Sequence, residues 1–251
     1  MNANGLPADD QLPVALVTGG SRGIGRAIAL DLAASGYRVI IGYRHDHEAA
    51  EEVCKAGEGR VIARLAVDLS EPVAAGQLVH AAYECRGRLD VLVNNAGANP
   101  LPSGLRNAPM ENVELVMALN LLAPYAASVA FHGLPGTGRS IVMVSSIFGA
   151  VKASPAAAAY SAAKAGLANL TQAMARGFAP GVRVNAVAPG LVDTDLLWPD
   201  EEFRARNIKR TPLARLGVPA DVARCVRFLV SPDAAFITGA VVPVDGGLGL
   251  A

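Results

Sequence analysis

Tyr160 and Lys164 stand four residues apart in the alanine-rich stretch Tyr160-Ser161-Ala162-Ala163-Lys164. Alanine favours helix, and a spacing of four puts both side chains on one helical face, within reach of a single small molecule. A tyrosine hydroxyl ordinarily titrates near ~10, too high for easy proton exchange at neutral pH, and a neighbouring ammonium should lower it. The pair is therefore expected to make Tyr160 a general acid toward a carbonyl oxygen and a general base in reverse. A packed ring and a solvated amine would show the same spacing, so the pair gains meaning only from its surroundings. Ser145 and Ser146 follow the strand-like run Ile141-Val142-Met143-Val144, and a hydroxyl there can donate to an oxygen on which charge develops.

A second constellation opens the chain. The run Val14-Ala15-Leu16-Val17 ends in Thr18-Gly19-Gly20-Ser21-Arg22-Gly23-Ile24-Gly25 and passes into a stretch where Ile24, Ile28 and Leu32 recur every four residues. Strand, glycine turn and amphipathic helix in that order aim free backbone amides and a helix dipole at one point, where a pyrophosphate can sit. The spacing Gly19-x-x-x-Gly23-x-Gly25 differs from the common G-x-G-x-x-G, and a tight turn without a ligand is the alternative. The next strand, Arg38 to Gly42, ends in Tyr43-Arg44-His45. NAD sites commonly carry an acidic residue at that place. Arg44, with Arg22 from the turn, can instead grip a phosphate, so the expected cofactor is NADP(H). Arg44 as a solvated surface residue is the competing reading. His45, Asp46 and His47 alternate in direction without a third ligand, and no metal is expected.

Positioning such groups requires a particular scaffold. Apolar, β-branched runs at Val14 to Val17, Val39 to Ile41, Val61 to Val67, Leu89 to Val93, Ile141 to Val144, Val182 to Val187 and Val241 to Val244 read as strands, most of them separated by helix-length stretches. This alternation predicts an α/β fold: a single doubly wound, Rossmann-type domain over residues 13–251, with a seven-stranded parallel sheet covered by helices on both faces. The last strand is expected at an edge. Residues 1–12 are expected to be a flexible N-terminal segment. The segment around 191–215, which lacks a clear strand and contains Trp198, is expected to act as a lid over the substrate.

With these residues in place, the sequence resembles the short-chain dehydrogenase/reductase family from Val14 to Gly247. The ordered motifs are the glycine turn, Val67-Asp68-Leu69, Asn94-Asn95-Ala96-Gly97, Tyr160-Ser161-Ala162-Ala163-Lys164 and Asn185-Ala186-Val187-Ala188-Pro189-Gly190. Ile237-Thr238-Gly239-Ala240 and Val244-Asp245-Gly246-Gly247 resemble the end of the 3-oxoacyl-[acyl-carrier-protein] reductase branch. The resemblance implies cofactor contacts from Gly19, Ser21, Arg22, Gly23, Ile24 and Gly25, and from Tyr43 and Arg44. It further implies that Asp68 and Leu69 hold the adenine edge, and that Asn94, Ala96 and Gly97 lie beneath the riboses. Pro189, Gly190 and Val192 would frame the nicotinamide, with Thr194 near the pyrophosphate. Lys164 would also bind ribose hydroxyls beside Tyr160. Asn120 would hold a water in a proton relay, although a structural asparagine is the alternative. Ser146 is selected as the donor to the substrate oxygen, with Ser145 as its rival, and Ser146, Tyr160 and Trp198 would meet the substrate. Ser146 and Tyr160 are fourteen residues apart, a wider interval than the acyl-carrier branch leads one to expect.

Composition narrows the partners. Lys+Arg 22 balances Asp+Glu 22, so no broad positive field is available to attract nucleic acid. Three cysteines in no paired motif suit a reducing cytoplasm and read as buried small residues. The polar first dozen residues and the lack of 18 uninterrupted apolar residues predict neither export nor a membrane span. The expectation is NADPH-dependent reduction of a ketone, a 3-oxoacyl thioester or similar and possibly carrier-linked carbonyl, by a homo-oligomer of two or four subunits. Reduction or oxidation of a sugar, cyclic ketone or natural-product intermediate is the alternative. An NADP(H)-binding regulator without catalysis is the rival from another class, and it has no use for Ser146, Tyr160 and Lys164 together.

Overall fold

The computed structural model describes residues 11–99, 104–194 and 200–250. Its strands are β1 (Val14–Thr18), β2 (Arg38–Tyr43), β3 (Val61–Ala66), β4 (Val91–Asn94), β5 (Arg139–Val144), β6 (Val182–Pro189) and β7 (Val241–Val244). They form one sheet in the order β3-β2-β1-β4-β5-β6-β7, and every pairing is parallel. The helices are α1 (Gly23–Ala34), α2 (His47–Ala56), α3 (Pro72–Glu84), α4 (Gly104–Asn107), α5 (Met110–Met117), α6 (Ala123–Gly133), α7 (Ile147–Ala150), α8 (Ala158–Gly177), α9 (Glu201–Arg210) and α10 (Pro219–Val230). The doubly wound sheet expected from the apolar runs is present, with β7 at its edge.

Strand side chains alternate between two cores. Leu16, Ile40, Leu92, Ile141 and Val184 pack with α3, α6 and α8, while Val17, Ile41, Val93, Val142 and Val187 pack with α1, α2 and α10. Since both faces are covered, successive strand positions are apolar and the strands read as unbroken runs. α1 obeys the helical period, with Ile28 and Leu32 fully buried. Beyond α6 the glycine-rich loop is pinned by Arg139, whose buried guanidinium donates to the carbonyls of Phe131 at 2.6 Å and His132 at 3.2 Å. These are helix-end acceptors that would otherwise lack partners.

The helical stretch Met110–Gly133 is long and apolar enough to span a membrane by length and composition, yet α6 packs along α3 and buries Phe131. Between α5 and α6 it widens into a π-helix, Ala118–Leu122. The segment 191–215 is not irregular throughout, since it contains α9. Its residues 195–199, including Trp198, lie outside the described residues. Cysteines are not uniformly buried: Cys85 is exposed, and Cys54 and Cys225 are half-buried. Of the N-terminal segment, residues 1–10 also lie outside the described residues, whereas Leu12 is buried against the domain.

The strand order reverses between β1 and β4, which leaves a crevice at their carboxyl ends. Gly25 sits in that crevice so tightly that a Cβ would lie 2.1 Å from the Gly19 carbonyl oxygen. Gly25→Ala is expected to lower folding stability by about 3 kcal/mol, read as a lower urea midpoint; an unchanged midpoint would show that the turn relaxes freely.

Candidate active site

The glycine turn is built by hydrogen bonds from β4. Thr18 Oγ1 donates to the Val93 carbonyl at 3.3 Å and accepts from the amides of Asn95 and Ala96, both at 3.0 Å. Asn95 Nδ2 returns donations to the carbonyls of Thr18 at 2.9 Å and Gly19 at 3.2 Å. Gly19 and Gly23 have φ of +63° and +54°, which favours glycine at both. No side chain caps the start of α1. Its first amides are therefore left for a ligand, and the cradle has the open backbone that a pyrophosphate requires. Ser21 is buried in the turn, Arg22 is exposed at its rim, and Ile24 is partly buried. Thr194 lies across from Gly23, its Cγ2 3.5 Å from where a Cβ would stand.

At the end of β2, Arg44 is bound to Asp68, with Nε at 3.0 Å and Nη2 at 2.8 Å from Oδ2. Asp68 also accepts from the Ser70 amide and hydroxyl, and these bonds, followed by Arg44, hold its carboxyl below the usual range. Asp46 serves as the N-cap of α2, accepting from Ala49 N at 2.9 Å. Tyr43 is tied into the fold. Its hydroxyl is spent on His47 Nδ1 at 2.8 Å and Arg64 at 3.4 Å, and its ring is buried in the core. The Asn94 side chain turns inward, donating to Ser128 Oγ and Met143 Sδ. Its neighbour Asn95 shapes the site instead, a role visible beforehand only in its place within the Asn94-Asn95-Ala96-Gly97 motif. Leu69 is buried in the core beside the crevice.

Pro189 ends β6, and Gly190 meets the C-terminal turn so closely that a Cβ would lie 2.9 Å from Asp245 Cα. Val192 is buried and bridges to Gly217, which fixes the strand of backbone leading to Thr194.

Ser146, Tyr160, Lys164, Asn120, Ala96 and Gly97 gather at the ends of β4 and β5. The Ser146 hydroxyl hydrogen-bonds the Tyr160 phenol and accepts from Phe148 N at 3.1 Å. Ser145 instead donates to the Lys164 carbonyl at 3.0 Å, so its hydroxyl braces α8 and faces no ligand. Lys164 Nζ lies 5.6 Å from the Tyr160 ring centroid and donates to the Val144 carbonyl at 2.8 Å. Asn120 sits in the π-helix, and its Nδ2 donates to the carbonyls of Ala98 and Val116. Its Oδ1 is buried and has no hydrogen-bond partner among the described residues. A Cβ on Gly97 would stand 2.5 Å from that oxygen and 3.6 Å from Lys164 Nζ, so the bare glycine is what lets the three meet.

The electrostatics reverse the expectation from spacing. Dense packing pushes Tyr160 up to about 12, although part of its ring meets solvent, and the bond from Ser146 offsets this only in part. Burial pulls Lys164 down to about 7. The amine lies over the ring and gives its bond to a carbonyl, and as burial disfavours its charge it cannot acidify the phenol as an exposed ammonium would. An amine lowered from 10.5 to about 7 imposes its full cost on the folded state below pH 7 and none above about 10.5. The cofactor-free protein should therefore gain on the order of 3 kcal/mol relative to Lys164→Met as pH rises from 7 to 10. Urea unfolding of both proteins across that range checks this, and parallel curves would refute it.

A family model described as Enoyl-(Acyl carrier protein) reductase matches residues 19–249. The chain is 40% identical over 243 residues to a 3-oxoacyl-[acyl-carrier-protein] reductase of Synechocystis, covering 94% of this chain and 96% of that one. It is also 40% identical over 247 residues to an L-rhamnose 1-dehydrogenase (NAD(P)(+)) of Azotobacter vinelandii, covering 93% and 95%. A short-chain dehydrogenase from Burkholderia cenocepacia, solved in complex with NADP, superposes with a TM-score of 0.90 at 36% identity and covers 94% of this chain and 97% of that one. Crevice, glycine cradle and clustered hydroxyls thus stand in a chain that belongs to the short-chain dehydrogenase/reductase family of oxidoreductases.

Proposed function

We propose that the protein is an NADPH-dependent ketone reductase acting on a 3-oxoacyl thioester or a similar carbonyl. The observation that carries this reading is the convergence of Ser146, Tyr160, Lys164 and Asn120 beside an open glycine cradle. The cofactor would be held by the turn Gly19 to Gly25, by Arg44 and Asp68 at the adenosine end, and by Ala96, Gly97, Pro189, Gly190, Val192 and Thr194 along the crevice. When bound, its reduced nicotinamide supplies a hydride. Ser146 then donates to the substrate oxygen and orients it. Tyr160 retains its proton at neutral pH, since burial raises it, and gives that proton to the oxygen as negative charge builds. Lys164, whose amine spends one bond on the Val144 carbonyl, is positioned for ribose hydroxyls, and Asn120 Oδ1, without a partner among the described residues, invites a water that links the lysine outward.

Similarity alone does not separate acyl from sugar substrates, because both relatives share 40% identity with the chain. The wide Ser146–Tyr160 interval leaves a sugar, cyclic ketone or natural-product intermediate as the second reading. Exposed Leu122, Tyr125 and Val129 on the π–α6 stretch, and Phe236 and Leu250 near the C-terminus, support association into a homo-oligomer, with four subunits as our reading. Three free cysteines support a cytoplasmic setting.

Tyr160→Phe should lower kcat for ketone reduction roughly a thousandfold while NADPH fluorescence titration still shows binding; full activity in the variant would end this reading. Arg44→Ala should cut the NADPH-over-NADH preference in kcat/KM by about ten- to a hundredfold, and an unchanged ratio would remove Arg44 from the cofactor site.

A further inference from the structure

A cavity of about 180 Å³ opens between the segment after β5 and α9, with Phe148, Lys152, Pro155, Asn207, Arg210 and Leu248 among its walls. Two hydrogen bonds join these walls to the reacting groups. Phe148 N donates to Ser146 Oγ, and Ser154 N donates to the hydroxyl of Ser161, the residue after Tyr160, both at 3.1 Å. Gly149, with φ of +134°, presses this segment onto α8, where a Cβ would lie 2.6 Å from Ala165 N. The cavity is thus fixed relative to the candidate catalytic hydroxyls.

Its charge is one-sided. Lys152 Nζ donates to the Leu248 carbonyl at 2.7 Å and lies 5.9 Å from the Phe148 ring centroid. Arg210, in the last turn of α9, is exposed and has no ion-pair partner among the described residues. Of the other arginines on α9, Arg204 pairs with Asp193 at 2.7 Å and Arg206 lies over the Phe203 ring. Among the described residues, no carboxylate lines the cavity. Asp245, three residues before Leu248, gives its oxygens to the amides of Gly247 and Gly249. Two cations facing one small space repel each other, and an anion between them relieves that repulsion and accepts charge-assisted bonds.

We propose that this cavity receives an anionic oxygen group, a carboxylate or a phosphate, carried by the carbonyl substrate away from its reacting carbon. Arg210 supplies a planar fork to that group, Lys152 a second charge, and Phe148, Pro155 and Leu248 flank the connecting chain. A cavity of about 150 Å³ takes up a benzene-sized molecule, so this space is enough for a short acyl chain and its terminal group. This inference rests on the ketone-reductase reading and narrows its substrate class.

The test measures kcat/KM with NADPH for 4-oxopentanoate, 5-oxohexanoate and 6-oxoheptanoate against their methyl esters, and for 4-oxopentyl phosphate against 5-hydroxypentan-2-one. The wild type should prefer one acid over its ester, or the phosphate ester over its alcohol, by at least tenfold. The first preference assigns a carboxylate, the second a phosphate. Arg210→Gln should remove most of that preference, Arg210→Glu should reverse it, and Arg206→Gln, altered on the same helix outside the cavity, should retain it. No preference in the wild type, or one that survives Arg210→Gln, overturns the assignment. Calorimetric titration of glutarate and inorganic phosphate into the NADPH-loaded enzyme reads the cavity without turnover. Binding weakened about tenfold by Arg210→Gln, with no ketone reduced, would sink the reductase reading and keep the cavity. Ketone reduction with neither charge preference nor Arg210-dependent binding would do the reverse.

Discussion

Lys164 is 4% exposed, and its amine has one hydrogen-bond acceptor among the described residues, the Val144 carbonyl. An ammonium in that position has lost most of its hydration and recovers little, which is why burial brings it down to about 7. Much around it serves to hold this costly group in place. Ser145 anchors its backbone, Gly97 clears space beside it, and the π-helix delivers Asn120 Oδ1 to the same point, without a hydrogen-bond partner among the described residues. A donor with capacity left beside such an acceptor is an arrangement that a water or a hydroxyl can bridge, and a π-helix is a common device for placing such a residue.

The scaffold puts these groups together because a parallel sheet gathers all its carboxyl ends on one side. Ser146 follows β5, Asn95 to Gly97 follow β4, and the glycine turn follows β1. None of them is close to the others in sequence. Thr18 and Asn95 join two of these ends through a reciprocal set of bonds, so the nucleotide cradle depends on β4 as much as on the glycines.

What could be read beforehand follows from the same physics. Two-sided burial makes each strand a continuous apolar run, so all seven strands and their order of appearance were visible, as was the face of α1 marked by Ile28 and Leu32. Polar side chains at strand ends were harder, because direction there is decided by one residue of register. Asn94 turns into the core and Asn95 toward the turn, although the two are adjacent and identical. Tyr43 likewise spends its hydroxyl on His47 and Arg64, neighbours that no local spacing rule links to a cofactor. The proton balance of Tyr160 and Lys164 was misjudged for a related reason. Spacing reports that two groups are near each other, whereas the sign of their shifts depends on how much water the rest of the chain removes.

Arg44 and Asp68 show how magnitudes decide whether a preformed contact blocks a ligand. Both side chains are substantially exposed, so their ion pair is worth about 0–1 kcal/mol. Charge-assisted bonds to a phosphate contribute about 1.5–3 kcal/mol each. On the proposed reading, Arg44 exchanges Asp68 for a 2′-phosphate at a net gain. Asp68 keeps its two bonds from Ser70 when the arginine leaves, so its carboxylate is not stranded. The pair acts as a resting position that keeps the guanidinium at the end of β2, where the proposed reading places a phosphate.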